Sequence, residues 1–271
     1  CQTTRMPAPT TLQDNIDKVF YAAMRYYLGV HKLCPKLAIL GEMGWKTPYF
    51  RQHLNMIRLW NRLCRMSNDR LTKQVFLYDY SLCKSNWSSE VKSILYKINQ
   101  LQCFTSCMVV NLENFKYTFS NIVTQNWLTD LTKKPKLRTY QSMKAHLNAE
   151  YYVKCSIPKH KRSLLAQIRC GILPLKIETG RFQQIPLELR LCILCNLQEV
   201  ETEEHFVCRC TKFQSLREKL FECASKNKPN FIYVPDHEKL NLLLTVMWRE
   251  CVNIFLVPAW TLRTNAMYIT M

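Results

Sequence analysis

The sequence predicts a mainly α-helical protein with a bundle-like region, on two observations. Glycine, which punctuates loops and strands, occurs only five times in 271 residues. Apolar residues recur three and four positions apart over long stretches, the spacing of one helix face. The length allows a sizeable core, so stability does not require metal or disulfides.

An opening helix is expected from Leu12 to Leu28, with Ile16, Phe20, Ala23 and Tyr27 on one face and Gly29 as its stop. The stretch "VHKLCPKLAILGEMGWKTP", punctuated by Gly41, Gly44 and Pro48, reads as a loop. A second helix, Phe50 to Met66, is strongly amphipathic. Met56, Ile57, Trp60, Leu63 and Cys64 gather on one side, and Arg51, Arg58, Arg62 and Arg65 form a stripe opposite. That stripe either tracks a phosphate backbone or is a solvated face.

From Leu71 to Trp127 at least two more helices follow. One lies around "SSEVKSILYKINQL", started by Ser88 or Ser89 ahead of Glu90, and one around "LENFKYTFSNIVTQNWL". Phe115, Tyr117 and Phe119 read as packing residues rather than base-stacking ones. The long apolar stretch Leu240 to Trp260 carries Arg249 and Glu250 at its middle. Each such charge costs roughly 2.5 to 3.5 kcal/mol at a bilayer centre, so the stretch reads as a buried helix.

The formal net charge is +18, from 38 basic and 20 acidic residues. Such a surplus points to a polyanionic partner, nucleic acid before a membrane surface. It is densest in residues 131–170, where ten Lys or Arg stand against Glu150 alone and "TKKPKLR" and "PKHKR" occur. Tyr140, Tyr151 and Tyr152 lie among them, available for stacking unless the segment is a lysine-decorated linker. Fourteen cysteines without a basic-then-apolar leader fit a reducing compartment, intracellular, cytoplasm and nucleus. A chain that begins at Cys1 is expected to be a piece of something longer.

The stretch "CILCNLQEVETEEHFVCRC", residues 192–210, holds four cysteines and a histidine. From Cys192 the order is C-x2-C, nine residues to His205, then Cys208 or Cys210. A CxxC pair lets two thiolates reach one tetrahedral centre from a tight turn, and a later His and Cys close it. Three thiolates and a neutral imidazole around a divalent cation leave net charge −1, with Arg190, Arg209 and Lys212 near enough in sequence to offset it. Thr202 is placed to cap a helix whose first turn holds Glu203 and Glu204.

On an unbroken α-helix His205 shares a face with Cys208, and Cys210 is rotated about 140° away. The tetrapeptide "TKFQ", Thr211 to Gln214, has the form of a capping box, which would end the first helix near Cys210 and free that residue to turn inward. The reading is a structural zinc site on Cys192, Cys195, His205 and Cys210, with Cys208 as the alternative fourth ligand. Buried free thiols and a redox-active CxxC are the other readings. Four protein ligands leave no open position for catalysis. The expected fold is therefore a helical bundle-like region followed by a small zinc-binding knuckle with flanking helices.

Three stretches, "SLLAQIRCGILPLKIETGRF", "LCILCNLQEVETEEHFVCRCTKFQSLREKLF" and "RYYLGVHKLCPKLAILGEMGWKTPYFRQHLNMIRLWNRL", resemble the carboxyl-terminal region of non-LTR (LINE-type) retrotransposon reverse transcriptases. The resemblance covers residues 12–225 and is most specific from Ser163 to Leu220. It implies Cys192, Cys195, His205 and Cys210 as the CCHC ligand set, with Cys208 at an ordinarily aliphatic position and Thr211 where the family often has proline. It implies partners too: RNA and/or DNA, and polymerase and endonuclease portions preceding Cys1. Family members copy RNA into DNA with a paired aspartate motif; this sequence has no adjacent Asp-Asp pair and no catalytic residue is assigned.

The segments expected on this reading are a thumb- or connection-like 1–50, a helical 51–130, a basic linker and helix 131–191, the zinc-binding 192–223 and a helical tail 224–271. Nucleic acid would be held by Arg58, Arg62, Arg65, Lys133, Lys134, Lys136, Arg138, Lys159, Lys161 and Arg162, with Arg209, Lys212 and Arg217 oriented by the zinc. These contacts would position a backbone and carry little sequence information. The competing reading is a host-retained, zinc-dependent protein-interaction module without a polymerase role.

Overall fold

The computed structural model describes residues 10–269, so the first nine residues of the expected first segment, Cys1 among them, lie outside the described part. The chain is mainly α: no strand occurs among the described residues, only an isolated antiparallel bridge between Leu191 and Val200. Two compact units divide the chain. Of the described residues, one unit joins 10–22 to Trp45–Trp127, the other joins Ala23–Gly44 to 128–269. The units therefore do not follow the five consecutive segments, whose edges at 50, 130 and 223 fall inside helices.

Helix α1, Thr10–Leu28, ends where expected: Gly29 takes φ +68°, the left-handed conformation a side chain resists. The expected loop after it holds a two-turn helix instead. Helix α2, Lys36–Met43, starts after Pro35 and ends on left-handed Gly44, with Ala38, Ile39, Leu40 and Met43 buried. Gly41 is an interior helical residue here, tolerated because burial of its neighbours outweighs its poor propensity.

The first unit is organised by α3, Pro48–Cys64. Thr47 accepts a hydrogen bond from Phe50 N–H, and Pro48 occupies the first helical position. Met56, Ile57, Trp60 and Leu63 face a core completed by α4 (Leu71–Leu82), α5 (Trp87–Lys97), α6 (Leu101–Thr105) and α7 (Leu112–Thr132). Helix α5 is capped by Asn86, not Ser88: Asn86 accepts from Ser89 N–H while Ser89 Oγ accepts from Asn86 N–H. Buried Lys73 donates to the carbonyls of Leu63 and Cys64, satisfying the end of α3. Phe115 and Phe119 are core residues, and Tyr117 is exposed.

The second unit contains α8 (Arg138–Met143), α9 (Tyr151–Lys154), α10 (Lys159–Arg169), α11 (Lys176–Phe182), the metal-ligand segment, α12 (Gln214–Asn227), α13 (Asp236–Thr245), α14 (Trp248–Glu250) and α15 (Val257–Ile269). Its centre is Arg169, fully buried. Arg169 Nε and Nη2 each donate to Glu42 at 2.9 Å, Nη2 lies 3.0 Å from Glu150, and Nη1 donates to Leu244 O at 2.7 Å. Tyr152 donates to Glu42 at 2.6 Å, and buried Lys144 pairs with Glu150. Tyr140 and Tyr152, read from the sequence as possible stacking residues, are thus interior; Tyr151 alone of the three is exposed.

The expected single helix across Leu240–Trp260 is broken. Arg169 takes the Leu244 carbonyl that a continuing helix would give to Trp248 N–H, and Asp236–Thr245 meets Trp248–Met267 at an 89° bend. Among the described residues no single helix is long and apolar enough to cross a membrane; the bent pair passes by length and composition, and its Leu243, Leu244, Phe255 and Leu256 are buried.

Arg169→Met leaves buried Glu42 without its cation, with only the Tyr152 hydroxyl donating to its carboxylate, so it should lower unfolding free energy by about 3–5 kcal/mol. Urea denaturation followed by far-UV circular dichroism measures this, and an unchanged midpoint would refute the central role of the pair.

Candidate metal centre

The four ligand atoms come from two local structures that the sequence builds within nineteen residues. In the first, Cys192 N–H donates to Glu199 O at 2.8 Å beside the Leu191–Val200 bridge, and Gln198 takes φ +54°, so the chain folds back on itself with Cys195 near the tip. In the second, Thr202 Oγ1 accepts from His205 N–H at 3.0 Å, the cap its sequence position predicts.

The helix that Thr202 caps is not an ordinary one. His205–Arg209 is a π-helical turn, in which Cys210 N–H donates to His205 O at 2.7 Å. A ring closed five residues apart places position 210 one turn above position 205, which an α-helix does not do. The geometric conflict between His205 and Cys210 is resolved by widening the helix. The "TKFQ" capping box does not form: Thr211–Phe213 is a 3-10 turn without a side-chain cap, and Gln214 bonds Glu218 instead. Arg217 of α12 satisfies the turn's end, donating to Val207 O at 3.0 Å and to Cys210 O.

Cys192, Cys195, His205 and Cys210 consequently place their ligand atoms all within 4.8 Å of one another, a group that can hold a metal ion. Cys192 Sγ lies 3.8 Å from Cys210 Sγ, and Cys195 Sγ lies 3.4 Å from His205 Nε2. His205 Nδ1 sits 2.9 Å from Glu199 Oε2. That contact orients the ring and keeps its proton on Nδ1, leaving Nε2 as the donor atom toward the sulfurs. Glu199 does not stand out in the sequence, because its role emerges only once the turn brings it beside His205.

Cys208 is elsewhere: it is buried and donates to Asp236 O at 3.6 Å, and its thiol is pushed up to about 12 chiefly by burial. Its candidacy as the fourth ligand ends there.

Electrostatically, the four groups and Glu199 act on one another through hydrogen bonds. The hydrogen bond to Cys210, then burial, pushes the Cys192 thiol up to about 12. The same bond holds Cys210 below the usual thiol range, helped by the N–H of Lys212. Burial opposes a charged His205, but hydrogen bonds to Cys192 and Glu199 outweigh it and raise the imidazole. No family model, curated protein or solved structure matches this chain.

The basic residues divide into two groups. Arg58, Arg62, Arg65, Lys133, Lys134, Arg138, Lys159 and Lys212 are exposed, though Lys133 pairs with Asp130 at 3.0 Å, Arg138 reaches Glu203 at 3.3 Å and Lys159 lies over the Tyr26 ring at 4.3 Å. The others serve the chain itself. Lys136 pairs with Glu178, Lys161 donates to Asn253, and Arg162 donates to Tyr27 O while lying 4.2 Å from that ring's centre. Arg209, expected to face a partner, is ringed by Glu199, Glu204 and Asp236. Arg217 is buried under the π turn and cannot reach a phosphate. Arg190, expected to offset the site's charge, instead donates to Ile185 O and Ile177 O.

Cys210→Ser should abolish stoichiometric metal binding and Cys208→Ser should not, as read by metal content of the purified proteins. Glu199→Gln, which loosens the His205 ring, should weaken the metal about 10- to 100-fold in chelator competition. Affinity should fall as pH is lowered, because protons compete for the three thiolates and the imidazole. A flat pH profile would contradict this ligand set.

Proposed function

We propose that this chain is a nucleic-acid-binding segment of a LINE-type reverse transcriptase, with a structural zinc ion on Cys192, Cys195, His205 and Cys210. The observation that carries the reading is the mutual spacing of the four ligand atoms inside a chain of formal charge +18. A tetrahedron with metal–sulfur bonds of about 2.3 Å has sulfur–sulfur edges of about 3.8 Å, and the Cys192–Cys210 separation is 3.8 Å. Three sulfurs and one imidazole suit zinc better than the oxygen-seeking cations. Zinc would supply a charge-neutralising cross-link and, with four protein ligands, no position for substrate.

The chain's own residues would do the rest. The turn around Cys195 and the π turn at His205 hold the ligands, while exposed Arg58, Arg62, Arg65, Lys133, Lys134, Arg138, Lys159 and Lys212 offer phosphate contacts. Thirteen free cysteines among the described residues suit the reducing cytoplasm and nucleus, where thiols persist. No adjacent aspartate pair is present, so polymerisation would belong to other parts of the parent enzyme.

A second reading has one observation in its favour. Leu71, Val75, Tyr78 and Leu82, one face of α4, are all exposed, as a helix in a protein-interaction module would be.

Salt separates the two. Binding of a labelled RNA or DNA oligonucleotide should weaken by one to several orders of magnitude between about 50 and about 200 mM salt. Absence of any oligonucleotide binding at the lower concentration, with metal loaded, would leave the protein-interaction reading in its place.

A further inference from the structure

We propose that the groove between the C-terminal half of α3 and the loop entering α7 is a binding site for the phosphates of a nucleic-acid strand. This rests on the nucleic-acid reading above and adds a location and a mode of recognition. The groove has a volume of about 740 Å³ and lies wholly in the first unit. Arg58, Arg62 and Arg65 reach it from one face of α3, spread over about 10 Å of helix axis. Arg70 joins them from the turn before α4, a residue the sequence pattern alone does not connect to the stripe.

The opposite wall is fixed rather than loose. Asn61, buried between the arginines, donates to Val110 O and accepts from Val110 N–H, both at 2.7 Å. Trp60 Nε1 donates to Met108 O at 2.9 Å. Two side chains of α3 thus hold the backbone of the facing loop, and the groove keeps its shape when empty.

The charge within it is uncompensated. Among the described residues, the side chains of Arg62, Arg65 and Arg70 have no hydrogen-bond or ion-pair partner. Arg58 donates only to neutral Asn55. The one acid on the rim, Glu113, is paired with Lys116 at 2.5 Å. Guanidinium groups three and four residues apart on a helix repel one another, and an anion lying across them relieves this. Planar, always-charged forks suit phosphate oxygens in particular.

The lining also says what is not read. Met66, Val110 and Leu112 contribute apolar surface, but no aromatic ring lines the groove, so bases find no stacking platform there. Asn111 already accepts from Glu113 and Asn114 N–H, so the start of α7 is capped by its own chain and the arginines carry the anion. Contact is to the backbone, and sequence preference is absent.

The test is fluorescence anisotropy of a dye-labelled 20-nucleotide strand with the full, metal-loaded chain and its Arg62→Ala/Arg65→Ala/Arg70→Ala variant. The variant should bind at least about tenfold more weakly, with a log–log salt slope shallower by about 2. An Arg62→Lys/Arg65→Lys/Arg70→Lys variant should restore most of the slope, since charge is retained. All three side chains are exposed, and matching denaturation midpoints would establish that the variants fold. If the unmodified chain binds no oligonucleotide, this proposal and the reading beneath it both fail. If it binds and the alanine variant keeps its affinity and slope, the groove is wrong and the broader reading stands. Loss of binding to phosphatidylserine vesicles with oligonucleotide affinity intact would assign the groove to lipid headgroups and overturn the proposal.

Discussion

A single backbone hydrogen bond, from Cys210 N–H to His205 O, decides whether Cys192, Cys195, His205 and Cys210 can share one metal ion. Had the segment after Thr202 continued as an α-helix, the amide of position 209 would have taken that carbonyl. Cys210 would then have pointed away from His205, and Cys208 would have been the sulfur on the histidine's face. The wider ring reverses this assignment: it turns Cys210 toward the other ligands and sends Cys208 to the carbonyl of Asp236. The wide turn exposes carbonyls that an α-helix would have satisfied, and Arg217 supplies their donors from α12. A cation predicted to face a partner is therefore part of what makes the ligand geometry possible.

The same use of buried charge recurs around the centre. Glu201, one residue before the capping threonine, is buried and accepts two hydrogen bonds from Arg263 of α15, at 2.8 and 2.9 Å, and one from Lys176 N–H at 2.7 Å. The tail beyond Leu256, which the resemblance does not cover, thus grips the segment that carries the ligands. Arg169 does the equivalent for the rest of that unit, taking up two carboxylates and the Leu244 carbonyl. Such pairs add little net stability over apolar packing, but removing one member is costly, and they fix one arrangement of the elements against others.

The ligand residues were legible because their spacing is local: C-x2-C, a histidine and a cysteine fall within nineteen positions, and a cap at Thr202 is a short-range feature. Glu199 was not legible, since its contact with His205 depends on a turn whose shape the residue types do not specify. The capping box at Thr211 was misleading for a related reason. Thr and Gln three apart can cap a helix, but Gln214 is engaged with Glu218, and the chain takes a 3-10 turn at Thr211–Phe213. Helix α2 was hidden by Gly41 and Gly44, read together as loop punctuation, although only Gly44 adopts a left-handed φ. Tyr140 and Tyr152 looked like surface residues because lysines surround them in sequence, yet their rings are buried in the unit.

That last contrast bears on the meaning of the net charge. Lys73, Lys144, Arg169, Arg217 and Arg263 are buried, and so are Glu42, Glu178, Glu201 and Glu203. Burial therefore withdraws nearly matched numbers of both signs, and the interior is close to balanced. The surplus of positive charge is left on the surface, where its ratio to acid is higher than composition alone conveys. A field of that kind acts over about 8–10 Å at physiological salt, far enough to draw in a polyanion before any specific contact forms. Three thiolates around a divalent cation would contribute one negative charge to this field. The centre can therefore brace the fold while Arg209, held among Glu199, Glu204 and Asp236, offsets part of the acid around it.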